Sequence, residues 1–111
     1  MDRDDLEATI AGLLREYGAT LTGPVEHVPD SVSNENYRAP TTAGPLFVRR
    51  HQERRTFDRL EREQQAIAWA GANGLPVARP LSTPAGATLR EAGGRWWSVY
   101  PWLAGWTNQR G

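Results

Sequence analysis

The amino-acid sequence predicts one α+β domain with a sheet of about five antiparallel strands, a helix at the start of the chain and one helix packed on the sheet. Three observations lead to this prediction. Apolar residues recur at helical spacing in two stretches, at the start and in the middle of the chain. Segments of β-branched and aromatic residues, bounded by turn residues, lie between and after these stretches. The length of 111 residues suffices for one hydrophobic core and is too short for two comfortable domains.

The first half of the chain predicts a helix followed by three strands. Asp4 and Asp5 suit the first turn of the helix, and Gly18 ends it. Residues 20–29 alternate weakly and contain Pro24, which favours an edge strand with a kink. The segments "ENYRAPTT" and "GPLFVRR" then predict a pair of strands about the turn "TTAG". The apolar side of the helix consists of Leu6, Ile10, Leu13, Leu14 and Tyr17.

The second half predicts another helix and a hairpin. The helix runs from Thr56 to about Asn73, before Gly74 and Pro76 end it. Residues 75–84 are expected to be extended and to lead into a fourth strand. The segment "ATLREAGGRWWSVYPWL" predicts a hairpin with a Gly93-Gly94 turn. One face of the helix carries Phe57, Leu60, Gln64, Ile67 and Gly71.

Composition excludes several classes of function. The formal charge is zero, so no overall field favours nucleic acid or an anionic membrane. The absence of cysteine excludes disulfides, thiolate catalysis and cysteine-based zinc sites. The N-terminus is acidic and unlike a signal peptide, and no stretch reaches the ~18 apolar residues of a membrane span, so a cytoplasmic protein is expected.

A nucleotide site of the glycine-rich loop type is also excluded. The chain contains neither G-x-x-x-x-G-K-[ST] nor G-x-G-x-x-G, and all 13 of its basic residues are arginine. In another arrangement, a turn covers the phosphates, a cation on the next strand binds them, and an acid from the following helix holds that cation. Residues 30–36, Arg49 and Glu63 supply these parts in the right order. Taken alone, Arg49 and Arg50 could equally be solvated charges, and Glu63 could pair with Arg59 or Arg62.

Three segments in order carry a resemblance to a known family: "SNENYRAPTTAGPLFVRRH", "REQQAIAWAGANGLPVARPL" and "GRWWSVYPWLAG". Together they resemble the N-terminal lobe of the aminoglycoside phosphotransferase superfamily, which includes choline kinase-like and type II homoserine kinase-like small-molecule kinases. The resemblance extends from about residue 20 to residue 105. It implies a protein-kinase-like N-terminal lobe that binds ATP, with Mg²⁺ in the full-length parent, and a small-molecule hydroxyl acceptor.

The resemblance also implies roles for individual residues. Arg49 matches the cation that pairs with the nucleotide phosphates, where many relatives have lysine, and the planar guanidinium preserves that function. Glu63 matches its acidic partner. An alignment shifted by one residue would give the role of Arg49 to Arg50. The covering turn would contribute backbone N–H groups and the side chains of Ser31, Ser33 and Asn34.

The segment "YPWLAG" matches the linker between the two lobes, where backbone groups of the family bind the adenine edge. Pro101 lacks an N–H group, so Trp102 or Leu103 is expected to donate this hydrogen bond. The resemblance therefore divides the chain into a lobe with the start of the linker, residues 1–105, and a short tail, residues 106–111.

The catalytic residues of the superfamily lie in a second lobe, in an H-G-D-x-x-x-x-N loop and a following D-x-D-type segment. Here the last aspartate is Asp58 and no histidine follows His51, so no catalytic residue and no phosphoryl transfer by this chain alone are expected. The chain is expected to be a truncated lobe. The alternatives are a non-catalytic module that binds a nucleotide or a protein, and a truncated or frameshifted product without function.

Aromatic residues and histidines have simpler interpretations. Trp96, Trp97 and Trp102 indicate strand packing or, alternatively, the lining of an adenine pocket. His27 and His51 have no partner at metal-ligand spacing, which favours structural or solvent-facing roles. A lobe without its partner domain would leave an exposed aromatic surface of Trp97, Trp102, Leu103 and Trp106.

Overall fold

The computed structural model describes residues 3–28, 35–51, 56–72 and 80–102. Two helices and five strands follow one another in the order that the sequence predicts, and all strand pairs are antiparallel. The α+β fold class is therefore confirmed. The elements are α1 (Arg3–Glu16), β1 (Glu26–Val28), β2 (Glu35–Thr41), β3 (Gly44–Arg50), α2 (Phe57–Ala72), β4 (Arg90–Ala92) and β5 (Arg95–Pro101).

The strands form one sheet in the order β1-β2-β3-β5-β4. This order places β3 at the centre, between β2 and β5. Directly paired residues of antiparallel strands project from the same face of the sheet, whereas consecutive residues of one strand project from opposite faces. The register therefore assigns every strand side chain to one of two faces.

Both predicted hairpin turns are present. Thr42 and Ala43 connect β2 to β3, where the Thr41 hydroxyl donates to the Gly44 carbonyl at 2.6 Å and accepts from the Ala43 N–H at 3.0 Å. Gly93 and Gly94 connect β4 to β5 with φ angles of 59° and 78°. A two-residue turn with positive φ at both central positions is the type that matches strand twist, and glycine adopts it without steric cost.

One face of the sheet, which we call the core face, packs against α1. Its buried side chains are Tyr37 and Ala39 of β2, Leu46 and Val48 of β3, and Trp97 and Val99 of β5. Ile10, Leu13 and Leu14 of α1 belong to the same cluster and are at most 1% exposed. At ~25 cal/mol per Å² of apolar surface, this cluster is the main stabilising contribution of the fold.

The first turns of α2 contact the sheet and the loop that precedes β4. Its Phe57 ring lies 5.0 Å from the ring of Trp96, and its Leu60 is 1% exposed. Gln64 is buried and accepts a hydrogen bond from the Thr88 hydroxyl. Three residues of the predicted apolar face, Phe57, Leu60 and Gln64, therefore pack against the rest of the domain. The structure does not describe the burial of the other two, Ile67 and Gly71.

Three details differ from the sequence-based expectations. The edge strand is only Glu26–Val28, because Pro24 interrupts the ladder after an isolated bridge between Leu21 and Thr41. The fourth strand, to which residues 75–84 were expected to lead, is only Arg90–Ala92, and before it the Leu81 N–H donates to the Val99 carbonyl at 2.6 Å. Trp97 is 0% exposed because its register position lies on the core face. This agrees with strand packing and removes Trp97 from the expected exposed aromatic surface.

Two glycine substitutions are expected to change stability in opposite directions. Gly94→Ala forces a Cβ into a backbone with φ +78°, at a cost of about 1 kcal/mol, although no atom obstructs it. Gly12→Ala lies inside α1, where its Cβ meets only Arg15 Nη2 at 3.8 Å, and should stabilise the chain by up to ~1 kcal/mol. Denaturant unfolding measures both changes, and a change of the same sign for both would contradict the backbone description.

Candidate functional site

Arg49 and Arg50 lie on opposite faces of the sheet. Arg49 is paired with Asn36 of β2 and Ser98 of β5, and it projects from the face opposite α1. We call this the Arg49 face. Its described strand side chains include Asn36, Arg38, Phe47, Arg49, Ser98 and Tyr100.

The guanidinium of Arg49 is held by an amide and two aromatic rings. Its Nε donates a hydrogen bond to Asn36 Oδ1 at 3.0 Å. Its Cζ lies 5.4 Å from the ring centroid of Phe47 and 5.7 Å from that of Tyr100. Such cation–π contacts stabilise a guanidinium without reducing its charge. The side chain is partly buried and keeps its positive charge.

Arg50 has a different environment on the core face. It forms an ion pair with Glu35, its side chain is 12% exposed, and its Cζ lies 5.5 Å from the ring of Trp97. Burial, and then the nearby Arg95 guanidinium, lower the pKa of Arg50 from its usual value. The group remains a cation because even a lowered arginine pKa lies far above neutrality. Arg50 therefore has a structural role on the core face.

Aromatic rings line the Arg49 face beside the guanidinium. Phe47 and Tyr100 meet edge to face with centroids 6.0 Å apart, and Trp102 lies 5.9 Å from Phe47. The guanidinium of Arg38 lies 5.5 Å from the ring of Trp102 and pairs with Glu26 at 3.4 Å. Phe47 and Tyr100 are 1% and 5% exposed, so they pack beneath the face, and Trp102 is the partly buried ring. An accessible ring beside cations is the chemistry that suits a planar base carrying anionic groups.

A buried network of side-chain hydrogen bonds holds the Tyr100 ring. Ser98 Oγ donates to the Tyr100 hydroxyl at 3.1 Å, and His51 Nε2 lies 2.8 Å from Ser98 Oγ. All three residues are at most 7% exposed. Arg95 donates from Nε and Nη2 to the His51 carbonyl at 3.0 and 2.6 Å. This network fixes the position of the Tyr100 ring, which packs against Arg49.

Glu63 forms the alternative contact that the sequence left open. Its carboxylate lies 3.7 Å from Arg59 Nε, one helical turn earlier on α2, and its side chain is 46% exposed. Arg49 instead bonds to Asn36. Among the contacts of the described residues, no ion pair joins Arg49 to Glu63, so their pairing remains a prediction.

The other predicted site residues divide into described and undescribed ones. Pro101 ends β5 and is paired with Leu46 on the core face, and Trp102 follows it with its ring against Phe47. Ser31, Ser33, Asn34 and Leu103 lie outside the described residues. Within the part of the chain that the structure describes, no three acidic or histidine side chains are grouped to hold a metal ion.

Sequence reasoning did not identify Arg38 and Phe47 as residues of this face. It included Asn36 only in the turn at residues 30–36 and Tyr100 only in the segment "YPWLAG", without a role for either side chain. The signal was present in the two-residue period of the strands, because Phe47 lies two positions before Arg49 and therefore on the same face. Assigning the residues of β2 and β5 also requires the register, which one sequence does not contain.

Comparison with known proteins agrees with this geometry. The model of the family described as "Phosphotransferase enzyme family" matches residues 24–110, more than three quarters of the chain. The chain belongs to the phosphotransferase enzyme family. Its fold and its membership of this family are consistent with the N-terminal lobe that the sequence resembles. The resemblance found in the sequence is thereby confirmed.

Homoserine kinases are among the relatives of this phosphotransferase-family chain. It is 23% identical to the homoserine kinase of Caulobacter sp. (strain K31) over 107 residues, which cover 96% of this chain and 33% of the relative. It is 28% identical to that of Caulobacter vibrioides (strain NA1000 / CB15N) over 101 residues, 91% of this chain and 31% of the relative. The chain therefore spans about a third of the length of these relatives.

None of the helices in the described residues has the length and apolar character required to cross a membrane.

Loss of the Arg50 charge is expected to destabilise the fold. Arg50→Gln leaves Glu35 without its ion pair and should lower the free energy of unfolding by about 1–2 kcal/mol. Arg59→Gln is the control. Its ion pair with Glu63 is exposed, and helical pairs of this kind contribute only about 0.3–0.5 kcal/mol. Equal unfolding free energies for the two variants, measured in urea, would contradict the structural role of Arg50.

Proposed function

We propose that the Arg49 face binds the phosphates and the base of ATP, as the nucleotide-binding lobe of a small-molecule phosphotransferase. The observation that carries the proposal is the state of the Arg49 guanidinium. It keeps its charge, and its described contacts use the Nε atom and the π face. The two Nη groups can donate two parallel hydrogen bonds to phosphate oxygens.

The residues on this face fit the other parts of ATP as well. Trp102 is partly buried and offers a ring on which an adenine base can stack. Phe47, which is 1% exposed, packs against this ring and supports it. Trp102 follows β5, at the position where the resemblance expects a backbone donor to the adenine edge, and Leu103 is the other candidate. Glu35 and Asn36, the last residues of the predicted turn, belong to β2. The proposed cover for the phosphates is therefore the segment before β2, with Ser31, Ser33 and Asn34.

The described residues do not fit a magnesium site. They contain no cluster of three metal-ligating side chains, so we assign no step to Mg²⁺ on this chain. In the proposed scheme, Arg49 alone supplies positive charge to the phosphates here. Charge near the phosphates stabilises the transition state of phosphoryl transfer, and this effect needs no covalent chemistry from the lobe.

Arg50 is the alternative phosphate ligand, and its environment argues against it. The Glu35 carboxylate already neutralises its charge, and its position on the core face directs it toward Trp97. A phosphate at Arg50 would have to displace the carboxylate and approach the packed side of the sheet. The acceptor in the parent protein is proposed to be a small-molecule hydroxyl, since the relatives named above are homoserine kinases.

The proposal predicts that Arg49→Ala weakens ATP binding by about tenfold or more, since a hydrogen bond to a charged group contributes ~1.5–3 kcal/mol. Calorimetric titration with ATP measures the change. Arg90→Ala is the matched control, because it removes an exposed cation of β4 that pairs with Glu16 at 2.5 Å. Arg50→Ala should weaken binding less than Arg49→Ala. Equal losses for all three variants would reduce the effect to net charge and refute the proposed site.

A second prediction concerns catalysis. The 111-residue chain should bind ATP without transferring its γ-phosphate to homoserine, choline or an aminoglycoside, because Asp58 is the last aspartate and no histidine follows His51. Coupled detection of ADP release measures the turnover. Acceptor-dependent ADP release that is lost in Arg49→Ala would contradict this prediction.

A further inference from the structure

We infer that Asn36 is a positioning residue for Arg49, which it holds through a neutral amide on the neighbouring strand. The inference rests on the proposed function, because the position of Arg49 matters only if its guanidinium binds phosphate. It adds to that function a residue from β2 and a specific electrostatic role.

The geometry places Asn36 directly opposite Arg49 in the β2–β3 register. Asn36 is 2% exposed, and its Oδ1 accepts from Arg49 Nε at 3.0 Å. Both backbone positions lie within hydrogen-bonded strands, so the contact does not depend on a mobile loop. A bond to Nε fixes the guanidinium along one edge and leaves the Nη1–Nη2 edge facing the opposite direction.

The two aromatic rings fix the remaining rotation of the guanidinium. Phe47 and Tyr100 contact its π face at 5.4 and 5.7 Å. Tyr100 is itself held at its hydroxyl by Ser98, which bonds in turn with His51. The plane and one edge of the guanidinium are thus both determined before any ligand arrives. Such preorganisation reduces the entropy lost on binding.

Charge explains why an amide suits this position. A carboxylate at position 36 would add a negative charge on the neighbouring strand, whereas an amide oxygen accepts from Arg49 without adding charge. Glu63 lies on α2 in an ion pair with Arg59. Glu35 and Glu26 pair with Arg50 and Arg38, respectively. The carboxylates of these three residues are therefore engaged by other arginines.

A double-mutant cycle tests the inference on the full 111-residue chain. The variants are Asn36→Ala, Arg49→Ala and both together, titrated with ATP and, separately, with adenosine. We expect Asn36→Ala to weaken ATP binding about fivefold to tenfold, the size of one typical intramolecular hydrogen bond, and to change adenosine binding less than twofold. In the Arg49→Ala background, Asn36→Ala should have no further effect on ATP, because residues that act through one another are not additive.

Glu63→Gln is the matched control from α2. Coupling of Glu63 to Arg49, with additive effects for Asn36, would overturn the inference and restore the helical acid to its expected role. Asn36→Ala could also weaken ATP binding equally in the unmodified chain and in Arg49→Ala. That result would make Asn36 a structural residue and would overturn the inference as well.

Asn36→Asp provides a second variant if Asn36→Ala does not fold. It keeps the acceptor for Arg49 Nε and adds a negative charge beside the phosphates. We expect a cooperative melt and ATP binding weaker than in the unmodified chain, whereas unchanged or tighter ATP binding would overturn the electrostatic role.

The Arg49 Nε–H resonance in a ¹H–¹⁵N spectrum separates this inference from the proposed function. Without nucleotide, we expect slow hydrogen exchange at Nε in the unmodified chain and fast exchange in Asn36→Ala. Slow exchange in a chain that does not bind ATP would refute the proposed function and leave the Asn36–Arg49 contact established. Fast exchange in the unmodified chain would refute the contact.

Discussion

The alternation of side chains along β3 is the constraint on which the arrangement of this domain depends. Two adjacent arginines at the end of one strand cannot share a face, so the backbone directs Arg49 away from the core and Arg50 toward it. Arg50 then becomes a partly buried cation that Glu35 must neutralise. Arg49 remains charged on the opposite face, beside aromatic rings. A shift of register by one residue would exchange these two environments.

The central position of β3 provides Arg49 with contacts from both neighbouring strands. Asn36 approaches from β2, and Tyr100 approaches from β5. The core face, packed against α1, holds these three strands in fixed register because Val48 and Val99, both 0% exposed, are buried on it. Packing on one face therefore determines the geometry of polar groups on the other. On the Arg49 face itself, the buried rings of Phe47 and Tyr100 add packing against the guanidinium.

Particular residues show how far the sequence predicts this structure. Helical spacing and turn chemistry predicted both helices and both hairpins, because these signals are local, as the glycine pair at residues 93–94 illustrates. The resemblance to the family predicted that Arg49 is the cation that pairs with the nucleotide phosphates. The contact with Asn36 was not predicted, since it joins residues 13 positions apart through a register that one sequence does not specify. The sequence allowed both strand packing and an exposed position for Trp97, and the register decides between them. A tryptophan on a strand lies inside or outside according to its parity with the core residues.

The structure of the chain with a bound non-hydrolysable ATP analogue tests the central claim most directly. The account predicts phosphate oxygens within hydrogen-bond distance of the Arg49 Nη groups, with Nε still bonded to Asn36 and with Arg50 still paired with Glu35. Phosphates bound at Arg50, or an Arg49 side chain that has left Asn36 to pair with Glu63, would contradict it.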